Sequence, residues 1–470
     1  MKVQLINPPA SEGVDIVREG RCMQRGGAWT AVWAPISLAT IAAVLERENV
    51  ECRLDDCIIE KLGLEALRER ARGFGPDMVV VNTATPSIDS DLFAVQSLKE
   101  DLPGAVFLAI GIHVSALPEE TLMQCHELDA VVRGEPELTV RDAARAVSAK
   151  NDLSAVPGLS VRKKDELIHG PDREPADLDS LPAPAWHLAR TDLYRMPFSG
   201  DPFLLVGTSR GCPFHCRFCA DPVYYGHALR LKSPERIVTE MEEIREKYGI
   251  RDFLFWSESF TLKREWTVRV LNELTRSGAD FRIVCNSRTD HVDPELLSLM
   301  REAGVWMVGY GVESGSQFVL DLMNKKTSVE QNRKAITWTK EAGLQATAHM
   351  VIGYPGETRE TVQETIDFAC SLPLDYAQFY CAAPFPGSTL YREAKEKGLL
   401  RKEPWTRFEQ NYCVLDTPEL SAREVMEWRK KAYRRFYASP ARAWRVLKRD
   451  VGWKRLPRFG RMMLSFRGWI

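Results

Sequence analysis

Phe203-Leu-Leu-Val-Gly-Thr-Ser-Arg-Gly-Cys212-Pro-Phe-His-Cys216-Arg-Phe-Cys219 is a short apolar run that ends in three cysteines spaced C-x3-C-x2-C. The run reads as a buried strand over 203–208, and a helical pattern near 234–248 follows. The cysteines therefore fall on a strand-to-helix loop. The same unit recurs downstream. Strands are predicted at 251–256, 281–285, 305–310, 345–351 and 375–380, alternating with helices near 263–277, 294–302, 328–341, 358–370 and 388–398. Six consecutive βα units predict a partial barrel, whose chemistry belongs to the loops at the carboxyl ends of its strands. Ser257-Glu258, Ser287-Arg288, Gly311-Val312-Glu313 and Gly353-Tyr354-Pro355-Gly356-Glu357 all fall in such loops. Three thiolates this close can hold three irons of a 4Fe-4S cluster, leaving the fourth iron open to a cofactor or substrate. The alternative is structural zinc completed by His215 or a remote cysteine, but such sites more often use two C-x2–4-C knuckles and no second knuckle is present.

Working back from this stretch, residues 1–150 show a second βα rhythm. Strands are predicted near 3–7, 50–54, 77–82, 105–110 and 129–132, with helices near 36–48, 64–73, 88–100, 118–125 and 136–149. This predicts a doubly wound parallel sheet, flavodoxin-like, that binds ligands past the carboxyl ends of its strands. Asn7-Pro8-Pro9, Asn82-Thr83-Ala84-Thr85 and Gly111-Ile112-His113 mark those ends. The apolar stretch 36–45 follows Pro35 and reads as a buried helix. Residues 151–202 hold seven prolines and a hairpin pattern at 158–170, and are read as an ordered linker. The domains expected are therefore 1–150, the linker 151–202, the barrel 203–400 and a basic, aromatic helical region 401–470.

Cys212, Cys216 and Cys219, with Phe218 before the last, resemble the signature of the radical S-adenosylmethionine superfamily. Preceded by a flavodoxin-like domain and a proline-rich linker, the barrel resembles the cobalamin-binding subfamily over about residues 1–400. The resemblance implies that the open iron chelates the methionine end of S-adenosylmethionine. One electron from the cluster then yields a 5′-deoxyadenosyl radical. It also implies roles residue by residue. Glu258 stands where the family places an acid near the methionine amino group, although the fuller Gly-Gly-Glu is replaced by Trp256-Ser257-Glu258. Arg288 corresponds to an arginine that pairs with the methionine carboxylate, a task suited to a bidentate guanidinium. Glu313 matches an acid near the ribose or amine, and Gly353 and Pro355 match a loop near the adenine. Asn7 and His113 echo cobalamin-domain positions. The histidine of D-x-H-x-x-G that ligates cobalt from below has no counterpart here, and Ile110-Gly111 replaces the usual Gly-Gly. For each acid or arginine the alternative is a salt bridge on the barrel rim, and for His113 a loop histidine bonded to backbone. Asp55 and Asp56 read as turn or cap residues, and Glu135-Pro136-Glu137 as the start of a helix.

Composition sets the bounds. The chain has 470 residues, 44% hydrophobic and 27% charged, which excludes wholesale disorder, collagen and coiled coil. Eleven cysteines are too few for a disulfide scaffold, and no signal or membrane-spanning run is seen, so a reducing cytoplasmic location is expected. The net charge of −2 conceals an asymmetry. Residues 423–470 hold 15 Lys and Arg against 3 Asp and Glu, or +12, so the rest carries −14. This tail, with Trp428, Trp444, Trp453 and Trp469, could lie peripherally on anionic lipid or pack on the barrel. No nucleic-acid motif is present. The function expected is a cobalamin-dependent radical enzyme that methylates an unactivated carbon of a small-molecule or lipid substrate, fed by an electron donor such as flavodoxin or ferredoxin. Cyclisation, ring contraction or another rearrangement is the runner-up. A metal-stabilised binding protein with a degenerate cobalamin domain is the non-enzymatic alternative.

Overall fold

Strands β1 Lys2–Asn7, β2 Glu51–Asp56, β3 Met78–Asn82, β4 Val106–Ile110 and β5 Ala130–Val132 run parallel in the spatial order β2-β1-β3-β4-β5. That is the flavodoxin order, with its switch point at the β1/β3 edge. Successive strand residues point to opposite faces. Leu5, Val80 and Leu108 enter one core, while Ile6, Val79, Val81 and Phe107 enter the other. Both faces are covered, so β3 is buried along its whole length. The structure is a computed structural model and describes residues 1–10, 14–19, 23–26, 31–163, 166–197, 199–440 and 442.

The hairpin β6 Leu159–Lys163 and β7 Glu166–His169 is not free linker. It adds antiparallel to β5 and completes a seven-stranded sheet. The linker expected to begin at 151 thus contributes its first 20 residues to the front sheet, because β5 offers an unpaired edge that the hairpin's backbone satisfies. Beyond it the chain is tied down by Ala185 N donating to Ala39 O (2.9 Å) and by Tyr194 Oη donating to Asp56 Oδ2 (2.8 Å).

The second sheet holds β8 Phe203–Gly207, β9 Asp252–Trp256, β10 Arg282–Ser287, β11 Val305–Glu313, β12 Gln345–Ile352 and β13 Tyr376–Cys381, all parallel and in sequence order. This is the expected open barrel of six βα units. Its last edge is closed by a helix instead of a strand. From the helix Ala422–Tyr437, Tyr433 Oη accepts from Phe379 N (3.1 Å) and Arg429 Nε donates to Phe379 O (2.9 Å). Tyr437 Oη accepts from Ala377 N (3.2 Å) and donates to Ala377 O (2.9 Å). Side chains thus satisfy the backbone groups that a seventh strand would have paired. The apolar face of this helix (Val425, Ala432, Phe436) is turned inward. Residues 422–437 therefore follow the barrel-packing alternative, and 443–470 lie outside the described residues.

The two halves share one core. In helix Ile36–Glu46 every residue but Glu46 is buried, since it lies between the front sheet and the barrel. An all-round apolar helix belongs in such a place. An ion cluster reinforces the contact. Arg210, two residues before Cys212, donates to Glu135 (2.8 Å) and Glu137 (2.5 Å), and Arg230 also pairs with Glu135. Glu137 opens the helix Glu137–Ala149, as its sequence suggested, but its carboxylate also serves the inter-domain contact.

At the carboxyl edge of the front sheet, Asn7 donates to Asp56 Oδ1 (2.8 Å) and accepts from Arg18 (3.1 Å), while Asp56 caps the helix Cys57–Glu60. His113 is 3% exposed, hydrogen-bonded through Nδ1 to Thr85 Oγ1 (3.3 Å) and covered edge-on by Trp405. Burial lowers its pKa from 6.5 to about 4.

Side-chain exposures of 15%, 9% and 1% make Arg210, Glu135 and Glu137 a desolvated set. Arg210→Ala should cost about 3–5 kcal/mol, read as a lower urea midpoint; a change below 1 kcal/mol would show that the clamp is not needed. For His113 the unfolded chain binds the proton more readily, so its contribution is full above pH 6.5 and is lost as pH falls towards 4. At ~1.4 kcal/mol per unit this is about 3 kcal/mol. His113→Asn should flatten that acid limb of a stability–pH curve, and an unchanged limb would contradict the assignment.

Candidate active site

Between the barrel mouth and the front domain lies a cavity of about 330 Å³. Its walls include Cys212, Cys216 and Cys219, the charged Glu258, Arg288, Glu313 and Lys325, and Gln24, Ala31 and Trp33 of the front domain.

The thiol loop is built by local geometry. Ser209–Arg210 pairs antiparallel with Arg230–Leu231, so the chain leaves and returns at one point. Gly211 has φ +82°, and a Cβ there would lie 2.2 Å from Ala228 O. Only glycine fits this turn. Cys219 N donates to Cys216 O (3.1 Å), which folds the cysteines towards one another. All three are partly exposed, whereas Cys57, Cys125, Cys285, Cys381 and Cys413 are buried. Burial pushes the Cys285 thiol up to about 12, as befits a core residue. No described cysteine forms a disulfide. Among the described residues no three His, Cys, Asp or Glu form a group that could hold a single metal ion. A cluster asks for something different, because its thiolates bind separate irons.

Glu258, half-buried, follows β9 and faces the cavity. Arg288 also lines it, but its fork is engaged. Nε and Nη2 donate to Asp290 (2.9 and 2.8 Å), Nη2 donates to Lys325 O (2.9 Å), and the guanidinium stacks 3.6 Å over Phe214. Burial would raise the Asp290 carboxyl, but hydrogen bonds from His291 and Arg288 hold it well below the usual range. Glu313 ends β11 at φ +63°, past a register shift, with its carboxylate 2.6 Å from Lys325 Nζ.

Other predicted site residues lie elsewhere. Gly353 and Pro355 are not among the residues lining the cavity. Gly353 N and Tyr354 N donate to Glu357 Oε2 (2.6 and 3.3 Å), and a Cβ on Gly353 would meet Val425 of the helix Ala422–Tyr437 at 2.7 Å. Burial pushes the Glu357 carboxyl up to about 8. Asn7 and His113 likewise face inward, in the network described above.

Sequence reading missed the lumen beneath the thiols. Register places Asn286 beside Gly309 and Thr347, then Gly311 beside His349 and Gln378, then Val351 beside Tyr380. The alternation Thr347, His349, Val351 along β12 was the available signal. It also missed Lys325, and Gln24, which is 4% exposed with its Oε1 unpaired at the cavity wall.

The description "Radical SAM superfamily" matches residues 206–369, and "B12 binding domain" matches 27–144. An uncharacterized methyltransferase of Pyrococcus horikoshii is 32% identical, with 96% of this chain and 95% of that protein aligned. The anaerobic magnesium-protoporphyrin IX monomethyl ester cyclase of Cereibacter sphaeroides is 27% identical, covering 88% of this chain and 69% of the relative. Among solved structures, the radical S-adenosylmethionine methyltransferase TsrM of Kitasatospora setae, with cobalamin and a 4Fe-4S cluster bound, shares the fold. Its TM-score is 0.72 at 18% identity, over 94% of this chain and 89% of that one. The barrel with its three-cysteine loop and the flavodoxin-ordered domain before it are thus the two parts of a known pairing, and the chain belongs to the family of radical S-adenosylmethionine enzymes with a B12-binding domain that includes the Pyrococcus methyltransferase.

Proposed function

We propose that this enzyme methylates an unactivated carbon of a small molecule. The observation that carries this reading is the shared cavity, which sets three thiols, four charged groups and a front-domain wall around one space. When bound, the cluster and S-adenosylmethionine supply radical generation and cobalamin supplies a methyl carrier. Cys212, Cys216 and Cys219 would hold the cluster. Glu258 and Glu313 would receive the methionine ammonium or the ribose, and Arg288 the carboxylate, turning part of its fork from Asp290. Gln24, with its orphaned buried acceptor, and Trp33 would flank the corrin, whose rim carries amide donors. Asn7, His113, Gly353 and Pro355 would support these walls from behind. A one-electron donor such as flavodoxin or ferredoxin would feed the cluster.

Below the charged rim the lumen sets Asn286, Thr347, His349, Gln378 and Tyr380 among the apolar Phe203, Leu254, Val284 and Met307, with no Asp, Glu, Lys or Arg. A charged group placed there would lack a counter-ion. These residues favour an uncharged small molecule that carries both hydrogen-bonding groups and apolar surface. No helix among the described residues is long and apolar enough to cross a membrane.

A second reading, oxidative cyclisation or rearrangement with the same cofactors, is favoured by the resemblance to the Cereibacter cyclase. Trideuteromethyl-labelled S-adenosylmethionine separates the two. Reconstituted enzyme incubated with polar extract of the source cells should produce a metabolite carrying the intact label, and Cys216→Ala should not. A metabolite that loses hydrogen without gaining label would reject methylation.

A further inference from the structure

Among the described residues six non-glycines have positive φ; one, Glu313 (63°), lines the thiol cavity, and two more, Asn324 (53°) and Lys326 (59°), flank Lys325, which lines it too. Such backbone costs about 1–3 kcal/mol per residue and persists only where its surroundings demand it. The turn 323–326 makes four contacts that use this shape. Met323 O accepts from Arg217 N (3.0 Å), and Asn324 Nδ2 donates to His215 O (2.7 Å). His215 and Arg217 flank Cys216, so the turn grips the middle thiol from both sides. Lys325 O accepts from Arg288 Nη2 (2.9 Å), and Lys325 Nζ donates to Glu313 Oε1 (2.6 Å). The last pair lies directly on the β11 backbone. A Cβ on Gly311 would come 2.5 Å from Glu313 Oε1 and 2.8 Å from Lys325 Nζ.

Cys216, Arg288 and Glu313 belong to three different loops or strand ends, and this turn bonds the residues on both sides of Cys216 and the other two directly. We propose that Asn324 and Lys325 are positioning residues, which hold the middle cluster thiol in register with the two side chains assigned to S-adenosylmethionine. The proposal rests on that assignment. Asn324 acts through the peptide around Cys216, and Lys325 acts through Glu313 and, by its carbonyl, through Arg288. Neither needs to touch a reacting atom.

The test uses the full chain, reconstituted anaerobically with iron and sulfide. Two readouts are taken: S-adenosylmethionine binding by equilibrium dialysis, and the change that S-adenosylmethionine causes in the electron paramagnetic resonance spectrum of the reduced cluster. Asn324→Gly keeps the left-handed turn and removes only the amide contact, Lys325→Met removes the charge, and Lys325→Arg keeps a donor. Asn324→Gly and Lys325→Met should load iron like the wild type, bind S-adenosylmethionine about five- to tenfold more weakly, as for one lost hydrogen bond, and lose or alter the spectral change. Lys325→Arg should restore most of both. Wild-type affinity and spectra in Asn324→Gly would overturn the proposal even if Lys325→Met failed to fold. A wild-type protein that loads iron but does not bind S-adenosylmethionine would instead overturn the site assignment itself, and the proposal with it.

Discussion

Arg210 is the constraint on which the rest of the site depends. It stands immediately before Gly211 and the first cluster cysteine, and its guanidinium bridges Glu135 and Glu137 at the start of a front-domain helix. A buried cation with two carboxylates is costly to disrupt, because removing any member strands a desolvated charge. The base of the thiol loop is thereby fixed to the front sheet. Beneath it, the helix Ile36–Glu46 presents apolar surface on every side to both domains. Domains joined by small polar contacts move by default. Here a shared hydrophobic core and a charge clamp argue for a cavity with stable walls from both halves.

The same economy of backbone pairing explains the ends of both sheets. The edge of β5 is taken by the hairpin from the linker, and the edge of β13 by Tyr433, Tyr437 and Arg429 of the helix Ala422–Tyr437. These aromatic and basic residues suggested a surface for lipid when read as a tail. Within 422–437 their chemistry is spent on closing the barrel. Val425 from the same helix also packs against the backbone at Gly353.

Much of this was legible in the sequence because the signals are local. Strand and helix periodicity placed all eleven expected βα strands of the two domains, and the three cysteines sit on the strand-to-helix loop read from the sequence. Asp56 caps a helix as read. What escaped reading depends on partners distant in the chain. Nothing near His113 announces Trp405 as its cover, nothing near Asn7 announces Arg18 and Asp56 as its partners, and nothing in Glu135-Pro-Glu137 names Arg210. The left-handed turn at 323–326 left no glycine or proline signature, since its strained positions are asparagine and lysine. Resemblance implied that Arg288 pairs with a cofactor carboxylate; nothing near it in the chain announced Lys325 O, and Asp290 two residues on also takes two of its donors.

The central claim is that one cavity between the two domains serves two metal-containing cofactors. The most direct measurement is the ultraviolet–visible spectrum of the protein reconstituted without oxygen in iron, sulfide and hydroxocobalamin, then freed of unbound material. This account predicts cluster absorption together with a retained corrin band, and the loss of only the cluster absorption in Cys216→Ala. Cluster absorption with no retained corrin would contradict it, and would leave the front domain as a binder of substrate or partner.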